Sequence, residues 1–91
     1  MIHHPIDGMT ASSGNSDPIA LNKIAEKDEL TVQVVISAAA TVSVKGRLSA
    51  DAPWVELISI TADSIQPLAL VSYLRFDVSG NTGVVDAYVR S

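Results

Sequence analysis

The chain reads as a small all-β protein: an antiparallel β-sandwich, jelly-roll-like, with an extended N-terminal arm. Three observations predict this. Apolar and polar residues alternate with a period of two, best over 42–48, where Val42, Val44, Gly46 and Leu48 share one face and Ser43, Lys45 and Arg47 the other. The pattern recurs to the end of the chain in six or seven short runs separated by turn residues. No segment shows apolar spacing of helical period over a helix length. A closed small barrel is the next choice of architecture.

Bulk composition narrows the function. Ninety-one residues make one domain, and so short a domain buries a modest fraction of its surface. There is no Cys, so neither a disulfide nor a thiolate zinc site can staple the fold. With aromatics at 4%, the core must come from Val, Ile, Leu and Ala, and contact with neighbouring subunits as a homo-oligomer is expected. A net charge of −4 argues against nucleic acid and against a polybasic membrane patch. No apolar run reaches the length of a bilayer span. The opening MIHHPIDGMT lacks the basic start and apolar run of a signal peptide, so synthesis in a cytoplasm is expected.

Residues 1–17 are rich in Gly, Ser and Asn and read as an arm, flexible or ordered on a neighbouring subunit. Ile2, Ile6 and Met9 are its candidate anchors. Residues 18–91 form the sandwich domain. Pro18 suits the start of an edge strand covering 18–24, and 25–29 is a charged turn. In 30–37, Leu30, Val32, Val34 and Ile36 share a face. Pairing Ile36 with Val42 across Ala38–Ala40 aligns Val34 with Val44, Val32 with Gly46 and Leu30 with Leu48, which predicts a hairpin. After the polar loop Ser49–Pro53, residues 54–61 are apolar on both faces and suggest a central strand. Residues 62–69, with Pro67, read as a long connection that can hold a short strand.

In 70–78 the inward set is Leu74, Phe76 and Val78; in 84–90 it is Val85, Ala87 and Val89. Ser79-Gly80-Asn81-Thr82-Gly83 between them is a strong turn signal. Pairing Val78 with Val85 places Arg75 opposite Tyr88, Tyr73 opposite Arg90, and Asp77 opposite Asp86, a like-charge pair that costs stability unless a diagonal Arg, or a cation shared at a subunit contact, intervenes. The outward stripe Tyr73, Arg75, Tyr88 and Arg90 has the composition of a protein–protein hot spot, and equally of ordinary cross-strand pairs.

No constellation for catalysis emerges. His3 and His4 are the only histidines, and as neighbours in an extended segment they point apart, so no metal site is expected within one chain. The acids Glu26 to Glu29 lack calcium-loop spacing. The serines sit in no nucleophile elbow, and Gly80 and Gly83 belong to a turn between strands rather than to a phosphate loop. No cofactor is expected. Trp54, after Pro53, reads as a core residue opening a strand, or alternatively as a platform for stacking a sugar.

The stretch VSVKGRLSADAPWVELISITAD and the later LVSYLRFDVSGNTGVVDAYVR carry a Gly-x-Leu strand end (Gly46, Leu48). A Trp opening the next strand (Trp54), a Tyr-x-Arg element (Tyr73, Arg75), a glycine turn (Gly80, Gly83) and a final Val-rich strand with Val89 follow. Over roughly residues 42–91 the chain resembles small β-sandwich virion proteins of tailed bacteriophages. Where those proteins carry a Gly-rich turn before the Trp, this chain has Ser49–Pro53. The resemblance implies a non-enzymatic virion structural protein, foremost a head decoration or cement protein bound between major capsid protein subunits, with other virion proteins as possible partners. The alternative is a carbohydrate-binding or adhesion module of a tail or fibre, using Trp54 with Tyr73 or Tyr88.

Overall fold

The computed structural model describes residues 2–20, 29–69 and 71–90. The charged turn expected at 25–29 lies outside them except for Glu29. Among the described residues nine strands follow in chain order: β1 (Ile2–Met9), β2 (Gly14–Asn15), β3 (Ile19–Ala20), β4 (Glu29–Ile36), β5 (Thr41–Arg47), β6 (Val55–Ile60), β7 (Ser64–Ala69), β8 (Tyr73–Ser79) and β9 (Val85–Arg90). They form two antiparallel sheets, as the alternation predicts. Sheet I has the order β1-β9-β4-β7; sheet II has the order β2-β8-β5-β6, with β3 also paired to β8.

The pairings are nested. β5 pairs with β6, β4 with β7, β8 with both β2 and β3, and β1 with β9. These are the rungs of one long hairpin turned at the β5–β6 loop. Rolling that hairpin adds β4 against β9 and β5 against β8. This connectivity is a jelly roll, with β2 and β3 as two halves of one strand position.

The core lies between the sheets. Leu30, Val32 and Val34 of β4, with Val85, Ala87 and Val89 of β9, face Val42 and Val44 of β5 and Leu74, Phe76 and Val78 of β8; all are buried. Phe76 is the largest of the fully buried side chains, so branched aliphatics fill the interior around one ring. That is the core the composition demands.

Both expected hairpins are corrected. β4 and β5 lie in different sheets, and so do β8 and β9. The inward faces meet across the core rather than side by side, so Val34 pairs with Ala87 and Val44 with Phe76. Facing parity is satisfied equally by a neighbour in the sheet and by one across the sandwich, which is why alternation cannot tell them apart. The run 54–61 holds β6, which ends sheet II rather than sitting at its centre; Val55 and Leu57 are exposed there. Leu48, counted inward, lies one residue past β5 and is 73% exposed. The connection over 62–69 contains a full strand, β7, whose Pro67 is tolerated because β7 is an edge.

The segment set apart as an arm contributes β1 and β2. β1 pairs with β9 from Ile2↔Arg90 to Met9↔Val85, with register shifts around Ile6. Ile6, expected to reach a neighbour, is 2% exposed in this chain's own core, and Met9 packs against that core. Pairing with β9 satisfies backbone that an isolated arm would leave to water.

Four connections cross between the sheets at one end: 10–13, 37–40, 61–63 and 80–84. They are tied to each other. Ser37 N donates to Val84 O at 3.0 Å, Val84 N to Ser37 Oγ at 2.7 Å, and Thr82 N to Ala39 O at 2.9 Å. Asn81, buried, donates from Nδ2 to Met9 O and Ala11 O, both at 3.0 Å, and its Oδ1 accepts from Gly83 N at 3.0 Å. Asp63 Oδ1 accepts from Ile36 N at 2.7 Å. The glycine turn therefore serves as the clasp of this end; a Cβ at Gly83 would collide with Ser37 and Ala38.

Candidate functional site

The outer face of sheet II gathers the chain's most reactive-looking surface. Period two puts Ser43, Lys45 and Arg47 of β5 outward, and Tyr73, Arg75 and Asp77 of β8 outward beside them. The register sets three rows: Arg47↔Tyr73, Lys45↔Arg75 and Ser43↔Asp77. β6 adds Glu56 opposite Lys45, and Val55 opposite Gly46 brings Trp54 alongside Arg47. Gly46 itself must stay small: a Cβ there would come within 2.9 Å of Val71 and 3.0 Å of Leu57 on the inner side.

Trp54 is not a core residue, contrary to the expectation. It is half-buried on the outer face, with the Arg47 guanidinium carbon 4.2 Å and that of Arg75 4.9 Å from its ring centre. Arg47 also lies 5.3 Å from the Tyr73 ring. The negative faces of the two rings attract the cations, and the planar guanidinium stacks where an ammonium would not. Trp54 sits one residue before β6, where its strand parity is not yet enforced.

Lys45 and Arg75 are like charges directly opposite, an arrangement that costs stability alone. Asp77 relieves it. Its Oδ2 is 2.9 Å from Lys45 Nζ and accepts from Arg75 Nη2 at 3.1 Å, and its Oδ1 is 2.9 Å from Arg75 Nε. Partial burial pushes the Asp77 carboxyl up, but the hydrogen bonds and charges of Arg75 and Lys45 together outweigh it and hold it below its ordinary value. Ser43 donates its hydroxyl to Glu56 in the same patch.

The outer face of sheet I carries a different cluster. His4 stacks on Tyr88 with ring centres 4.2 Å apart and planes 14° apart. His4 Nε2 is 3.2 Å from Asp86 Oδ1, which also accepts from Gly8 N at 2.8 Å. Asp7 lies 3.9 Å from His4 Nδ1. His4 thus addresses the two carboxylates with different ring nitrogens. That geometry clips β1 onto β9, and it brings one ligand atom from each of His4, Asp7 and Asp86 within 4.8 Å of one another, a grouping that could hold a metal ion. Beside Tyr88, a shallow groove of 310 Å³ is lined by Thr31, Gln33, Ile65 and Arg90.

The stripe expected to unite Tyr73, Arg75, Tyr88 and Arg90 is therefore divided. Tyr73 and Arg75 lie on sheet II, Tyr88 and Arg90 on sheet I, on opposite sides of the sandwich. Asp77 and Asp86 do not face each other; each has its own partners. Of the arm residues, Ile6 belongs to the core, Met9 packs against it, and Ile2 joins the β1–β9 ladder through its backbone. Alternation alone does not reveal Arg47 and Lys45 as the partners of Tyr73 and Arg75. Their shared outward parity with Ser43 was visible, but which strand lay beside β5 was not. Set against known families and curated proteins, the chain matches no family model and no curated relative.

Proposed function

We propose that this chain is a non-enzymatic structural protein of a tailed-phage particle, in its most specific form a head decoration or cement protein that binds between major capsid protein subunits. The observation that carries the reading is the Arg47–Trp54–Arg75 stack with Tyr73 on one outer face. Trp, Tyr and Arg are the residues that dominate protein–protein hot spots, because they offer large planar area and directed donors at low entropy cost. Among the described residues Lys45, Arg47 and Arg75 stand on this face, in a protein of net charge −4. The arrangement supplies recognition chemistry: aromatic faces, forked donors and a fixed carboxylate. On a shell, many copies of a modest contact add by avidity. The resemblance proposed for residues 42–91 to phage virion sandwiches points the same way.

The test is composition. Purified particles of the phage encoding this chain should contain it in a fixed copy number relative to the major capsid protein, measured by quantitative mass spectrometry. Its absence from such particles removes the reading.

A second reading, a carbohydrate-binding or adhesion module, rests on the 310 Å³ groove beside Tyr88. It is weakened because each candidate aromatic already has a stacking partner, Arg47 and Arg75 on Trp54 and His4 on Tyr88. Saturable glycan binding abolished by Tyr88→Ala would favour it.

A further inference from the structure

We propose that Arg47 is a carboxylate receptor: it anchors an acidic segment of a partner protein on the outer face of sheet II. The inference rests on the assembly reading for the partner being a protein, and it names the partner's chemistry. Three cations share this face, but they are not equivalent. Lys45 and Arg75 both spend their charge on Asp77. Arg47, among the described residues, meets no carboxylate within ion-pair distance, and its guanidinium carbon lies 4.2 Å from the centre of the Trp54 ring and 5.3 Å from that of Tyr73. Its Nε is buried without a hydrogen-bond partner, leaving the Nη groups as the donors a partner can use.

Such a guanidinium is already oriented. The two rings beside it restrain the side chain, so less side-chain entropy remains to be lost when an anion arrives. They also displace water around it, which strengthens a charge-assisted hydrogen bond. Size and sign select the ligand. Lys45, Arg47 and Arg75 stand against Asp77 and Glu56, a small positive excess on an acidic protein. That suits one or two carboxylates flanked by protein surface, not the dense charge of nucleic acid.

Trp54 is the chain's one tryptophan, so its emission reports this face alone. The intact protein is titrated at constant ionic strength with a hexaglutamate peptide, with a hexaglutamine peptide and with inorganic phosphate. Arg47 Nε–H is followed in parallel by NMR. The expected result is a saturable change with hexaglutamate, absent with hexaglutamine, and weakened about tenfold in Arg47→Gln but little in Lys45→Gln. No saturable change in the wild type, or undiminished binding by Arg47→Gln, overturns the proposal. Tighter binding of phosphate than of hexaglutamate, through Arg47, overturns the assignment to an acidic peptide. A folded Arg47→Gln is verified by its thermal transition. Absence of the chain from particles would sink the assembly reading and leave this titration standing on its own.

Discussion

The Arg47 guanidinium carbon lies 4.2 Å from the centre of the Trp54 ring, across the turn of one hairpin. The loop from Leu48 to Pro53 separates them in sequence, and the β5–β6 pairing returns them to each other. A surface contact of this kind is worth about 0.5–1 kcal/mol, rising towards about 2 where water is displaced. Arg47→Ala should therefore lower stability by about 1 kcal/mol and make Trp54 more accessible to acrylamide. Urea unfolding and quenching check both. A loss of several kcal/mol would mean that Arg47 is a core support instead.

Asp77 links stability to pH. Its carboxyl is held below its ordinary value in the fold by Lys45 and Arg75, so the folded state favours the ionised form. The stabilisation is complete above the unfolded value and disappears as pH falls through the folded one. Denaturant midpoints measured from pH 6 down to pH 2 should drop in the acid range, and Asp77→Asn should flatten that drop. The variant should also be destabilised near neutrality, since Lys45 and Arg75 then face each other without their counter-ion. A variant with an unchanged acid limb would contradict this role.

Asn81 holds the crossing connections together. Asn81→Ala leaves Met9 O, Ala11 O and Gly83 N to find new partners in a buried setting. The expected cost is about 1–3 kcal/mol. Hydrogen exchange should rise in 9–13 and 80–84 before it rises in the β5–β8 pair. Uniform exchange across the sandwich would argue against a local clasp.

Removing residues 1–9 takes Ile6 from the core and bares the backbone edge of β9. The truncated chain should lose its cooperative thermal transition or show it at much lower temperature. A shift of no more than a degree or two would show that β1 is dispensable. Phe76→Ala provides the scale, since emptying the largest buried position should cost about 3–5 kcal/mol.

The strands and their inward faces could be read from alternation alone, because burial on one face demands it. Leu74, Phe76, Val78, Val85, Ala87 and Val89 all face the core as the period requires. What alternation does not encode is which strand lies beside which. The turn at 79–83 has the residues of a hairpin, yet it carries the chain from sheet II to sheet I, and its Asn81 spends its hydrogen bonds on residues 9–12. The same ambiguity split the Tyr/Arg stripe and hid Arg47 and Trp54 from each other. Composition hid β1 as well. Gly8, with φ of +62°, and Pro5 are irregularities of a bulged edge strand, not marks of an unstructured arm.

The most direct test of the account is reconstitution on particles stripped of this chain. Wild-type protein and Trp54→Ala are added at equal concentration, and bound copies are counted by mass spectrometry. Saturable occupancy is expected for the wild type. For the variant, binding weaker by at least about tenfold is expected, the scale of one hot-spot residue, with a thermal transition that stays cooperative. Equal occupancy by the two proteins would contradict this and move the binding surface away from the outer face of sheet II.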